Sequence, residues 1–202
     1  MLKKFFRNRR LKKDRSDVPT GFVPLRKIGS AIVIIDAAEP DQSLCRQKVD
    51  SFFSQHRISS TVLYVDFRKL NKNVRPVTDK AATIFRKDLN WFGRPDLKKA
   101  ASVTGKPADL FICLADDSSY CTEYLSKSAK AKFKIGRKPF EGDPYNLIVA
   151  ESLSDDTPSP DTSGQPHSED RAAAAPENGT TRKDNIETKI FCTIADLLGK
   201  IE

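Results

Sequence analysis

Residues 31–35 read A-I-V-I-I, and the apolar run stops at Asp36. A short, continuous β-branched run closed by an acid is the pattern of a strand covered on both faces, since no alternate position is left for water. The next stretch, D-Q-S-L-C-R-Q-K-V-D-S-F-F-S-Q-H (41–56), changes period. Behind Asp41, which reads as an N-cap, it sets Leu44, Cys45, the stem of Lys48, Val49, Phe52 and Phe53 at helical spacing. T-V-L-Y-V-D-F (61–67) then returns to a strand and ends near Asp66. A fully apolar strand, an amphipathic helix and a second strand predict a parallel sheet with helices on its faces.

The alternation continues. Residues 74–87 are ambiguous, with Ala81 to Phe85 readable as a short strand. P-D-L-K-K-A-A-S-V-T (95–104) predicts a helix with Pro95 at its first position and Gly105 at its end. A-D-L-F-I-C-L (108–114) is another buried strand, followed by Asp116 and Asp117. Residues 118–131 align Tyr120 or Cys121 with Tyr124, Leu125 and Ser128 on one helix face, and strands follow at 132–136 and 145–150. Residues 185–201 close the chain with Ile186, Ile190, Phe191, Ile194, Leu197 and Leu198 at spacings of three and four. The expected fold is α/β: a three-layer sandwich around a mainly parallel sheet, Rossmann-like. Residues 28–150 and 184–202 form its single domain.

Charge divides the rest. Residues 1–27 carry ten Lys or Arg against Asp14 and Asp17, a local balance of +8 that equals the formal charge of the whole chain. This basic N-terminal arm offers Lys3, Lys4, Arg7, Arg9, Arg10, Lys12, Lys13 and Arg15 to a polyanion such as RNA or the ribosome, an attraction that salt weakens. As a helix laying Leu2, Phe5 and Phe6 on an anionic membrane surface it would be interfacial, although Arg9 and Arg10 interrupt that stripe. As a solvated helix it would aid solubility alone. Residues 151–183 are rich in Pro, Ser, Asp and Ala, acidic and low in aromatic residues. Such a composition cannot bury enough apolar surface to offset ordering, and predicts a disordered insert.

The remaining totals narrow the chemistry. Four scattered cysteines without a C-x-x-C pair fit reduced thiols and a cytoplasmic location, with Cys121 on a first helical turn the most reactive candidate. Two histidines leave no ligand set for zinc and no base for a Ser-His-acid or Cys-His site. D-A-A-E-P-D after the first strand has no glycine and three acids, so neither a dinucleotide fingerprint nor a P-loop is present. The reading therefore carries no catalytic residue, cofactor or metal. In a parallel sheet a ligand binds beyond the strands' carboxyl ends. Asp36, Asp66, Asp116 and Asp117 close strands there, with Arg137 beside them, although Asp is also the ordinary residue for closing a strand.

D-L-N-W-F-G-R-P (88–95) holds the chain's one tryptophan. Asn90, Trp91 and Arg94 read as ligand-binding candidates by stacking and anion recognition. Alternatively the stretch is a turn into the Pro95 helix, with Gly93 at positive φ. Together with A-D-L-F-I-C-L (108–114), S-A-K-A-K-F-K-I-G-R (128–137) and Y-N-L-I-V-A, this block resembles a bacterial domain family of unknown function. The resemblance spans about residues 1–150 and the last helix, and implies a Rossmann-like α/β core behind a basic N-terminus. The strand, acidic loop, helix and A-K-F-K-I-G-R are also similar, at the level of fold, to the acceptor half of heptosyltransferase-type glycosyltransferases. That second likeness implies a small-ligand or sugar site at the strand ends. The leading expectation is a non-catalytic binding domain docked on a polyanion. A small-ligand enzyme and a peripheral membrane protein are the alternatives.

Overall fold

The computed structural model describes residues 2–69, 78–116, 119–150 and 186–201. The elements are α1 (Leu2–Asp14), β1 (Ser30–Asp36), α2 (Gln42–Gln55), β2 (Ser59–Asp66), β3 (Thr83–Phe85), α3 (Leu97–Thr104), β4 (Ala108–Cys113), α4 (Tyr120–Ser128), β5 (Ala131–Gly136), β6 (Leu147–Ile148) and α5 (Ile186–Lys200). All six strands are parallel and run in the order β3-β2-β1-β4-β5-β6. The three-layer α/β reading therefore holds. The disordered-insert reading of 151–183, and Asp117, fall outside the described residues.

The opening run explains the layers. β1 alternates Ala31, Val33 and Ile35 toward one face and Ile32 and Ile34 toward the other. The first face is covered by α2 and α5, where Cys45, Val49 and Phe53 meet Ile190, Phe191, Ile194 and Leu198. The second is covered by α3 and α4 through Ala100, Val103, Cys121 and Leu125. Phe53, Phe111, Phe133 and Phe191 are fully buried. Each contributes about 1.5–3 kcal/mol of burial, so both faces are needed to hold the sheet.

Three local expectations are corrected. Asp41 does not cap α2 with its side chain; Oδ2 instead accepts from the Thr188 backbone N–H in the first turn of α5, 2.9 Å away. A cap across 147 residues joins the two helices that share one sheet face. Pro95 precedes α3 rather than opening it: Asp96 is the N-cap, its Oδ1 accepting from Lys98 N at 2.7 Å. The strand expected over 145–150 shrinks to Leu147–Ile148. Before it, Asn146 joins β5 by its side chain as well as its backbone, Oδ1 accepting from Lys134 N. Tyr145 turns its ring over Gly136, where a Cβ would meet it.

Candidate functional site

Asp88, Asn90 and Gly93 shape the stretch 88–95. Asp88 Oδ2 accepts from Phe85 N at 2.9 Å and from Lys99 Nζ at 2.6 Å, fixing the exit from β3 to α3. Asn90 then folds the chain back on itself. Its side-chain Oδ1 accepts from Phe92 N and Arg94 N, while its backbone exchanges bonds with Arg94 and Gly93. The reversal needs Gly93 at φ +95°, and a Cβ there would stand 3.2 Å from Arg7 Nη2 and 3.5 Å from the Tyr120 ring. Trp91, at the tip, is left 62% exposed.

What the loop holds is α1. The helix lies against α4 with Leu11 buried beside Tyr120, Tyr124 and Phe92. Arg7 Nε donates to the Phe92 carbonyl at 2.7 Å and its guanidinium stacks 4.8 Å above the Tyr120 ring. Tyr120 OH returns a bond to the Arg7 carbonyl at 3.1 Å. Two turns on along α1, Asp14 Oδ2 accepts from Tyr124 OH at 2.9 Å and lies 3.2 Å from Arg94 Nη2. Burial raises both tyrosine pKa values, that of Tyr120 to about 12, so both stay protonated donors at neutral pH. Arg94, expected to bind an external anion, is largely spent on Asp14 and Tyr124. The basic arm is thus a docked helix, and 88–95 is its seat.

Docking creates a groove of about 430 Å³ lined by Phe6, Arg9, Arg10, Lys13, Asn90, Phe92 and Arg94. Arg9 and Lys13 are exposed and, among the described residues, make no ion pair; Arg10 has only a 3.7 Å approach to Asp14. Lys3, Lys4 and Lys12 are likewise exposed, while Arg15 reaches the Gly142 carbonyl on the other side of the helix. Along the rim, Phe5, Phe6, Trp91 and Phe92 meet edge to face at successive centroid distances of 5.9, 5.7 and 5.3 Å.

The strand-end acids form a separate system. Asp66 is held by a bidentate Arg68, whose hydrogen bonds keep its carboxyl below the usual range. Asp36 Oδ1 accepts from Ala38 N, closing a short turn. Asp116 is paired with Lys138, and the buried Arg137 lies 3.7 Å from both Asp116 and Glu39. Among the described residues, no three His, Cys, Asp or Glu side chains come together closely enough to hold a metal. At the end of β1 the fully buried Glu187 of α5 accepts from Asp36 N at 2.8 Å. Burial, with Asp36, Asp41 and Glu39 around it, pushes its pKa up to about 9. None of these groups lines the α1 groove, so Arg94 does not share that pocket with Asp36, Asp66 or Asp116. Cys121 is buried in the core.

Sequence reasoning missed Asp14, Tyr120 and Tyr124 as the fixings of α1, and Glu187 altogether. Glu187 did leave a signal: it is in phase with Ile190, Phe191, Ile194 and Leu198, an acid inside a buried stripe.

The match to a protein-family model spans residues 1–158, which includes α1, the 88–95 loop and the whole sheet. The chain belongs to a family of unknown function, DUF6913. The family match thus takes in both halves of the groove and ends before α5. No curated protein and no solved structure matches the chain, and the likeness to heptosyltransferase-type enzymes carries no argument.

Proposed function

We propose that the protein is a binding module for a polyanion, RNA in the first instance, and that the groove between α1 and residues 90–94 holds the strand. The observation that carries this is the groove itself. Exposed cations and Phe6 on one wall face the Asn90 amide, the Phe92 ring and Arg94 on the other, on a helix whose orientation is fixed by Leu11, Arg7 and Asp14. Fixed cations lose less freedom on binding than a floppy tail, which favours affinity. The free thiols of Cys45, Cys113 and Cys192 fit a reducing compartment and support a cytoplasmic location.

The experiment is retention of a labelled RNA over a salt series. With Lys3, Lys4, Arg9 and Lys13 each meeting a phosphate, the logarithm of affinity should fall against log salt with a slope of about −3. Arg9→Gln with Lys13→Gln should reduce that slope by about 1 to 2 and weaken binding for every sequence alike. RNA retention that ignores both salt and this double variant refutes the proposal. So does sedimentation with anionic vesicles in place of RNA binding, which would favour the interfacial reading.

A further inference from the structure

We infer that the polymer held in the groove is single-stranded, with Trp91 as the platform on which an unpaired base stacks. This deepens the polyanion reading and rests on it. The chain's one tryptophan stands 62% exposed at the tip of a loop that is otherwise fully committed. The loop is braced by the Asn90 bonds to Phe92, Gly93 and Arg94, so the indole is held out and not merely loose. Its neighbours Phe6 and Phe92 meet it edge to face, at interplanar angles of 74° and 84°. Those same two rings line the cationic groove, so one binding event places a phosphate at Arg9 or Lys13 and a base within reach of the indole.

Cations that track a backbone beside exposed aromatic faces are the two parts of a single-strand site. A duplex keeps its bases stacked inside and would use the cations alone, leaving Trp91 without a task. A lipid surface is served less well. Leu2 and Phe5 are also exposed, yet Arg9 and Arg10 stand one turn beyond Phe5 and Phe6, where an inserted face would have to continue.

The test uses the full chain, with affinity read from retention of labelled probes or co-sedimentation with vesicles, and stacking read from the emission of Trp91 in the parent chain. Four probes are titrated at one salt concentration: a mixed-sequence RNA oligonucleotide, the same sequence annealed to its complement, inorganic polyphosphate, and anionic phospholipid vesicles. The single strand should bind most tightly and quench Trp91 emission, whereas duplex and polyphosphate should bind without quenching. Trp91→Ala should weaken the single strand about 5- to 100-fold and leave polyphosphate unchanged. Trp91→Phe keeps a stacking face, so it should recover most of the loss and guards against a simple unseating of α1. Equal affinity for duplex and single strand, or an equal loss on polyphosphate in Trp91→Ala, overturns the inference while leaving the polyanion reading intact. If none of the three polyanions binds, both readings fail, and a blue shift on vesicles alone would replace them with membrane docking.

Discussion

Replacing Glu187 with glutamine should make the protein more stable at neutral and alkaline pH, and should flatten its dependence on pH. The carboxyl is fully buried, Oε1 accepts from Asp36 N at 2.8 Å, and Oε2 has no hydrogen-bond partner. Asp41 Oδ1 and Thr188 Oγ1 are buried without a partner beside it. An ionised Glu187 would add a charge to that set, so burial first, then the charges of Asp36, Asp41 and Glu39, raise its pKa from 4.5 to about 9. The sign follows from a folded value above the unfolded one. Below 4.5 both states hold the proton and folding loses nothing; between 4.5 and about 9 only the folded state holds it, and stability drains as pH rises. The slope is at most about 1.4 kcal/mol per pH unit, so going from about pH 5 to about pH 8 should cost roughly 3–4 kcal/mol. Glutamine keeps the acceptor for Asp36 N without a titrating proton. Urea unfolding followed by far-UV circular dichroism at about pH 5 and pH 8 reads both chains. The variant should match the parent within about 1 kcal/mol at the acidic end and exceed it by several at the alkaline end. A parent midpoint that does not fall relative to Glu187→Gln over that interval would refute the reasoning.

Three further outcomes follow from other corners of the molecule. Gly93→Ala forces a side chain onto a backbone at φ +95° and toward Arg7 and Tyr120, and should cost about 1–2 kcal/mol, read as a lower melting temperature with faster amide exchange across residues 2–14. Lys134, nearly fully buried with its amine on the Ser126 carbonyl at 2.9 Å, has its pKa lowered to about 8 by burial and by Arg15. Its folded value lies below the unfolded 10.5, so stability is lost as pH falls through about 8; Lys134→Met should gain about 1–3 kcal/mol near pH 7 and nothing above about pH 10.5, by the same urea assay. Cys192 is exposed while Cys45, Cys113 and Cys121 are buried, so a thiol reagent should label one cysteine in the native protein and four in denaturant.

The sheet was legible because its signals are local. A five-residue apolar run such as 31–35, four of its residues β-branched, cannot face water on either side, and that alone calls for two helical layers. The order of strands and the short β6 were less so, since pairing at an edge depends on how Tyr145 and Asn146 meet Gly136 and Lys134, not on their own propensities. The groove was half legible. Its cations and Trp91 stood out by composition, but their juxtaposition rests on Arg7 meeting the Phe92 carbonyl across 85 residues of sequence. No periodicity carries that. The ion pair of Arg94 was illegible for the same reason: a guanidinium reads as available until its carboxylate, Asp14, arrives from a distant helix.

The position of α5 has one more consequence. Among the described residues, those up to 158 hold all six strands and α1 to α4, so they look like a self-sufficient unit. Yet Ile190, Phe191, Ile194 and Leu198 roof the side of the sheet on which Val33, Ile35, Val49 and Phe53 lie. A fragment stopped at residue 158 would bare that surface as one apolar sheet-and-helix face, and it would invite self-association. For this molecule the edge of the shared sequence runs through the middle of a hydrophobic core.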